Sequence, residues 1–148
     1  PFEIAEEPAV VQEMSELPRK NLSGYRILLA EDNELNREIA VFLLKDEGIS
    51  VTEAEDGQQA VELFKEKPAG TFDAILMDLM MPVMDGYTAT RKIRSLERSD
   101  AKTIPIIAIT ANAFQEDSEK CIAVGMNAHL AKPLDIEKMK KTIKSICS

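Results

Sequence analysis

Two kinds of apolar pattern alternate along the chain. Three runs of strand length are almost continuously apolar: residues 26–30 (RILLA), 72–77 (FDAILM) and 104–110 (IPIIAIT). Each is rich in Ile and Leu and is bounded by polar, Gly or Pro residues. Continuous apolarity, rather than alternation, marks strands covered on both faces, as in a parallel sheet. Two weaker runs, 50–54 (SVTEA) and 128–131 (AHLA), fit the same role. Helical spacing fills the gaps between them. Leu35, Ile39, Phe42 and Leu43 share one face of a first helix, which Gly48 stops. Asp56 is placed to cap a second helix carrying Ala60, Leu63 and Phe64. Asp85 is placed to cap a third from Gly86, carrying Ala89, Ile93 and Leu96. Residues 113–124 read as a fourth helix, stopped by Gly125. Asp135 opens a fifth, with Ile136, Met139, Ile143 and Ile146 at helical spacing. Lys138, Lys140, Lys141 and Lys144 lie in its middle and last turns, which suits the helix dipole.

A strand followed by a helix, five times over, predicts an α/β fold. Right-handed crossovers then give a doubly wound parallel five-stranded sheet with helices on both faces. In such folds the ligand site lies beyond the carboxyl ends of the strands, at the topological switch point.

Residues 1–24 stand apart from this pattern. They hold Glu3, Glu6, Glu7, Glu13 and Glu16 against Arg19 and Lys20, and Pro1, Pro8 and Pro18 interrupt any helix. They read as an acidic linker or arm with a short helix around residues 9–17, ahead of a single domain at 25–148. The 148 residues carry a formal charge of −8. That balance leaves no basic footprint for nucleic acid and disfavours anionic membrane surfaces. No apolar run approaches the roughly 18 residues of a membrane-spanning helix. The two cysteines, Cys121 and Cys147, match no metal-ligand spacing and no disulfide framework, so a reducing, cytoplasmic setting is expected. The first residue is Pro and no signal peptide opens the chain, which reads as a fragment of a longer one.

The predicted strand ends collect the chemistry. Glu31 and Asp32 follow the first strand, Asp78 ends the third, Thr110 ends the fourth, and Lys132-Pro133 follows the fifth. Each has an ordinary reading by itself. Asp32 or Asn33 could simply cap the first helix, Thr110 could cap the fourth, and Lys132 could be a surface lysine. Together they put three carboxylates, a hydroxyl and an amine on one edge of the sheet. Clustered carboxylates repel, and a hard divalent cation relieves the repulsion. Oxygen ligands without His or Cys favour Mg2+ over Zn2+. Such an ion pairs with phosphate oxygens in phosphoryl transfer, Lys132 adds a point charge for them, and a carboxylate can itself be the nucleophile.

The segments ILLAEDNELNREIA, FDAILMDLMMPVMDGYTATRKIR, IPIIAITANAF and CIAVGMNAHLAKPLD, in this order, resemble a response-regulator receiver domain of two-component signalling. The resemblance covers residues 26–146. It implies a flavodoxin-like (βα)5 fold with sheet order 2-1-3-4-5. It also implies Asp78 as phosphoacceptor, a Mg2+ (or Mn2+) ion held by Asp32, Asp78 and the main-chain carbonyl of Met80, and Glu31 acting on it through water. Thr110 and Lys132 would engage the phosphoryl group, and the Lys132–Pro133 bond would be cis. The wording EDNxxN, MPVMDG and ITANA looks most like receivers of hybrid sensor histidine kinases. One departure is visible. The family usually has Tyr or Phe three residues before the strand-five lysine, where this chain has His129, so the aromatic partner of the Thr110 switch is altered.

The expected partner is a phosphohistidine donor, either a kinase domain or a histidine phosphotransfer protein, with the domain a monomer or weak dimer. Phosphorylation would act on the face made by the fourth helix, the fifth strand and the last helix. The domain is then a phosphoacceptor and not itself a kinase, with a hybrid kinase as parent chain and a stand-alone single-domain regulator as the alternative. Two other classes fit less well. A haloacid-dehalogenase-like phosphatase needs a second Asp two residues after the nucleophile, where Met80 stands. A flavodoxin-like cofactor binder needs a phosphate loop after the first strand, where Glu31-Asp32 would repel a phosphate. Of the methionines around Asp78, Met77 is expected in the core, with Met80, Met81 and Met84 filling a loop held by Pro82. Cys121 is expected to be an ordinary helix thiol.

Overall fold

A computed structural model of the chain describes residues 24–110, 115–132 and 134–147. Strands β1 (Arg26–Ala30), β2 (Ser50–Ala54), β3 (Ala74–Asp78), β4 (Ile106–Thr110) and β5 (Ala128–Ala131) form one parallel sheet in the order β2-β1-β3-β4-β5. Helices α1 (Glu34–Asp46), α2 (Gly57–Glu66), α3 (Gly86–Arg94), α4 (Ser99–Thr103), α5 (Gln115–Val124) and α6 (Ile136–Cys147) connect and flank it. This is the expected doubly wound α/β fold, and its switch point lies between β1 and β3.

The period-2 alternation of strand side chains explains why β1, β3 and β4 are apolar throughout. Leu28, Ala30, Ile75, Met77, Ile106 and Ala108 point to one face, where Ala60, Phe64, Ala89, Ile93 and Cys121 cover them. Ile27, Leu29, Ala74, Leu76, Ile107 and Ile109 point to the other, under Ala40, Leu44, Met139 and Ile143. The edge strands β2 and β5 are buried at only one position each, which is why their runs were weak. The same parity carries Glu31 and Asp78 to the α1/α6 side of the sheet edge and Thr110 to the other side.

Local chemistry sets the element ends. Asn33, Asp56 and Asp85 are N-caps whose carboxylate or amide oxygens accept from Asn36, Gln59 and Thr88 N–H groups. Asp135 accepts from the N–H groups of Glu137 and Lys138 ahead of α6. Two strands start later than the apolar runs suggested. The Asp73 carboxylate takes the Arg26 N–H at 2.7 Å, so β3 begins at Ala74 while Phe72 stacks on Phe64. Pro105 has no N–H to give the ladder, so β4 begins at Ile106. Helix α4 was not expected. Its five residues, SDAKT, carry no apolar period and bury only Ala101.

The larger difference is the rotation of α1. Leu35, Ile39 and Phe42 are exposed, Leu43 is only partly buried, and the core face is made by Ala40 and Leu44. Positions 39–44 are all apolar, so the sequence offers two stripes. The sheet selects the one with the small Ala40, which lets the helix approach closely.

The acidic segment before Gly24 with its helix at 9–17, residues 113–114 of the fourth helix, and the Lys132–Pro133 bond lie outside the described residues. No described helix is long and apolar enough to cross a membrane.

Candidate functional site

The carboxyl ends of β1, β3 and β5 bring Glu31, Asp32, Asp78 and Lys132 together, and Thr110, at the end of β4, joins them through its main-chain carbonyl. Glu31, just past β1, continues the ladder through its N–H to the Ala54 carbonyl at 3.1 Å, which holds its side chain at the sheet edge. Asp78 closes β3 and is held between neighbours, since the Leu79 N–H donates to the Ile109 carbonyl at 3.0 Å. Glu31, Asp78 and Thr110 are buried polar residues, whereas Asp32 is exposed. One carboxylate oxygen from each of Glu31, Asp32 and Asp78 lies within 4.8 Å of the others.

Lys132 ties the cluster. Its Nζ stands 3.0 Å from Asp78 Oδ2 and 3.2 Å from Glu31 Oε1. Its backbone N–H donates to the Thr110 carbonyl at 2.9 Å, which couples the β5 end to β4. Asp78 Oδ1 accepts from the Met80 N–H at 3.1 Å. Glu31 Oε2 accepts from the Asn33 N–H at 3.1 Å, and the Glu31 carbonyl accepts from Arg37 Nη1 at 2.9 Å. Beside the cluster a cleft of about 290 Å3 is lined by Glu31, Asn36, Ile39, Lys132 and Leu134. Three carboxylates against one ammonium leave a surplus of negative charge, and that oxygen-only donor set fits a hard divalent cation.

The electrostatics follow from crowding. Burial pushes the Glu31 carboxyl up, the Asn33 N–H pulls it down, and the hydrogen bond and charge of Asp78 raise it further against the pull of Lys132; the net value is about 7. For Lys132, burial pulls the ammonium down, but the hydrogen bond and charge of Asp78 and the charge of Glu31 outweigh it and hold the group above its usual value. The Glu31 shift has a consequence for stability. A carboxyl that holds its proton more tightly in the folded state contributes stability below its unfolded value, and that contribution is lost as pH rises through the folded value. Thermal melts of the metal-free protein in chelator are therefore expected to fall between pH 5 and pH 8. The ceiling is about 3 kcal/mol, since each pKa unit is worth 1.36 kcal/mol. A melting temperature that rises over that window contradicts the assignment.

Two further features of the site carried no sequence signal. Val83, in the β3–α3 loop, adopts φ 68°, a left-handed conformation that β-branched residues avoid. The loop is pinned around it. The Gly57 N–H donates to the Met84 carbonyl and the Gly86 N–H donates to the Leu79 carbonyl, at 3.0 and 3.1 Å. Arg37 was also missed; it bridges the Glu31 carbonyl and the Glu53 carboxylate, at 3.2 Å from the latter. Of the methionines, Met77 is fully buried, Met81 and Met84 pack on the core edge, and the Met80 side chain is exposed.

Residues 27–144 match the family described as response regulator receiver domain. The chain belongs to that family. Histidine kinase 1 of Arabidopsis thaliana is 39% identical over 158 aligned positions, covering 86% of this chain and 13% of the kinase. Hybrid signal transduction histidine kinase B of Dictyostelium discoideum is 45% identical over 118 positions, covering 74% of this chain and 6% of the kinase. The receiver thus spans a small part of these relatives' lengths. Among solved structures, the receiver domain of a sensor histidine kinase from Pseudomonas aeruginosa PAO1, with a magnesium ion coordinated in its active-site cleft, superposes with a TM-score of 0.75 at 42% identity, covering 84% of this chain and 98% of that one. The receiver domain of the Saccharomyces cerevisiae response regulator Ssk1, solved with the histidine phosphotransfer protein Ypd1, superposes at 0.74 and 33% identity, covering 83% and 88%.

His129 is an exposed residue of β5, paired in register with Ala108. Cys121 is a buried residue of α5.

Proposed function

We propose that this receiver accepts a phosphoryl group from a phosphohistidine onto Asp78, in a Mg2+-dependent step of a phosphorelay. The observation that carries the reading is the placement of Asp78: a buried carboxylate at a strand end, with one oxygen on Lys132 and a carboxylate oxygen of each acidic neighbour within 4.8 Å. The metal's ligands would be Asp32, Asp78 and the Met80 main-chain carbonyl, with Glu31 acting through water. Mg2+, or Mn2+ in the same oxygen set, would neutralise charge on the phosphoryl oxygens.

The chain's own residues do the rest. An Asp78 oxygen attacks phosphorus in line, the P–O bond forms as the P–N bond to the donor imidazole breaks, and the imidazole leaves with the bond's electron pair and takes up a proton. Lys132, freed from part of its present pairing, follows the transferred charge. The Thr110 hydroxyl donates to the new phosphoryl oxygens. The aspartyl phosphate carries about −1.5 to −2 charge where the carboxylate carried a single negative charge. Thr110 and Lys132, on β4 and next to β5, carry that change to the α5–β5–α6 face, with His129 in the place of the usual aromatic. Met80 stands where a phosphatase would need its second acid, which disfavours catalytic turnover.

The donor is a phosphohistidine on a kinase domain or a phosphotransfer protein. Its docking surface is the exposed side of α1, because Ile39 of the apolar stripe lines the same cleft as Glu31 and Lys132. The similarity to hybrid kinases supports such a kinase as parent chain, working on the cytoplasmic side with the receiver as a monomer or weak dimer. The test is transfer from a phosphorylated histidine phosphotransfer protein, with and without chelator. A Mg2+-dependent acyl phosphate mapping to Asp78 is expected. Equal transfer in chelator, or label on another residue, overturns the reading.

A further inference from the structure

Asp32 stands between two anchored residues and has no anchor of its own. It is exposed, and its side chain makes no hydrogen bond or ion pair among the described residues. Glu31, before it, is held at every polar atom. Its N–H is on the Ala54 carbonyl, its Oε1 on Lys132, its Oε2 on the Asn33 N–H and its carbonyl on Arg37. Asn33, after it, accepts the Arg37 N–H on its carbonyl at 2.8 Å and the Asn36 N–H on its Oδ1 at 2.9 Å. The direction of Asp32 is therefore set by the backbone on either side of it.

Arg37 holds that backbone. A peptide unit is planar, so the group that fixes the Glu31 carbonyl also fixes the Asp32 N–H and the plane from which Asp32 departs. That group is Arg37 Nη1, at 2.9 Å. Arg37 lies in the first turn of α1, and its side chain reaches back over the turn. The Nε of the same guanidinium meets Glu53 Oε1 at 3.2 Å. The Arg37 side chain is only 13% exposed. Its bond to the carbonyl is thus shielded from water and charge-assisted, about twice as strong as a neutral one. Glu53 is 46% exposed, so its pairing with Arg37 is screened. A rigid planar fork serves both partners at once, whereas a lysine ammonium is a point charge on a flexible stem.

We propose that Arg37 is a positioning residue of the cation site: by holding the Glu31 carbonyl it aims the Asp32 carboxylate at the oxygens of Glu31 and Asp78. It touches neither the ion nor the phosphoryl group. The inference rests on the reading of that cluster as a Mg2+ site. Two other roles for Arg37 have different signatures. If it acted through its charge, removing a cation beside three carboxylates would tighten Mg2+ binding. If it only tied α1 to β2, its loss would lower the melting temperature and leave Mg2+ affinity unchanged.

The experiment titrates Mg2+ by calorimetry into the wild type, Arg37→Met, Arg37→Lys and Glu53→Gln, well below their melting temperatures. Met keeps an apolar stem and removes the fork. Affinity is expected to fall about 10–100-fold in Arg37→Met, the cost of losing an outer-shell partner. It recovers in part in Arg37→Lys and stays near the wild-type value in Glu53→Gln. With acetyl phosphate as donor, the Mg2+ concentration for half-maximal uptake in Arg37→Met rises by the same factor, while the rate at saturating Mg2+ changes far less. In chelator, the amide resonances of Asp32 and Asn33 shift in Arg37→Met and those of β4 and β5 hold. Unchanged or tighter Mg2+ binding in Arg37→Met overturns the proposal. An equal loss in Glu53→Gln also overturns it and assigns the effect to the tie between α1 and β2. Unshifted Asp32 and Asn33 amides in chelator overturn it independently of the metal. Should Arg37→Met fail to fold, Arg37→Lys carries the same comparison with smaller changes. A wild-type protein that binds no Mg2+ overturns the cation reading, and the chelator spectra then judge Arg37 alone.

Discussion

Asp78→Asn is expected to abolish phosphoryl uptake from both protein and small-molecule donors while the fold persists. The amide is isosteric and still offers an oxygen to the Met80 N–H, which donates to Asp78 Oδ1 at 3.1 Å. Lys132 keeps its second carboxylate, Glu31, at 3.2 Å. What disappears is the nucleophile and one negative charge among three. Divalent-cation affinity should fall by at least the roughly 10–100-fold that loss of even an outer-shell partner costs. A second effect runs the other way. Part of what raises Glu31 is the hydrogen bond and charge of Asp78. With both weakened, the Glu31 carboxyl moves back down, and the loss of metal-free stability between pH 5 and pH 8 shrinks. Phosphorylation assays at saturating Mg2+, paired with melts in chelator across that window, test both parts. Persistent labelling of the variant removes Asp78 from its role, and an unchanged pH profile removes the coupling.

The parts of this site that were legible in the sequence are those carried by strand ends. A continuously apolar run announces a strand covered on both faces, and the first polar residue after it falls at the sheet edge. That is how Glu31, Asp32, Asp78, Thr110 and Lys132 could be placed together without coordinates. Caps were equally readable, because Asn33, Asp56 and Asp85 have the side chains that a helix N-terminus needs. Three things were not readable, for physical reasons. In α1, apolar residues cover more than one face, and only contact with the sheet decides that Ala40 and Leu44 go in while Leu35, Ile39 and Phe42 stay out. Helix α4 is held by side chains outside it: Arg94 Nη1, at the end of α3, donates to the Ala101 carbonyl, and Arg98, just ahead of the helix, grips Asp100 at 2.8 Å. The left-handed Val83 defies its own propensity and is imposed by a loop pinned at Leu79, Met84 and Gly86.

The same loop makes Gly86→Ala a strongly damaging substitution outside the charged cluster. Propensity points the other way. Gly86 opens α3, and in a helix interior Ala is favoured over Gly by about 1 kcal/mol. The obstacle is space. A Cβ at Gly86 would collide with the Asp78 carbonyl oxygen and would sit 3.0 Å from both Leu79 Cα and Met77 Cγ. Two of those atoms are backbone and the third belongs to a fully buried side chain. None can give way easily, because Asp78 is in register with Ile109 and the Leu79 N–H is bonded to the Ile109 carbonyl. Either α3 lifts and exposes Ala89 and Ile93, or the end of β3 shifts and carries the Asp78 carboxylate away from Lys132. Overpacking of this kind costs about 1–3 kcal/mol, and more where backbone must move, so it outweighs the helix gain. Gly70→Ala provides the contrast. A Cβ there meets nothing within 4 Å, but the backbone sits at φ +84°, which costs an Ala roughly 1–2 kcal/mol. Urea denaturation should show both variants destabilised, with phosphoryl uptake from acetyl phosphate retained in Gly70→Ala and depressed in Gly86→Ala. A Gly86→Ala protein as stable and as reactive as the wild type would mean that α3 is not held against the phosphoacceptor strand by that close approach.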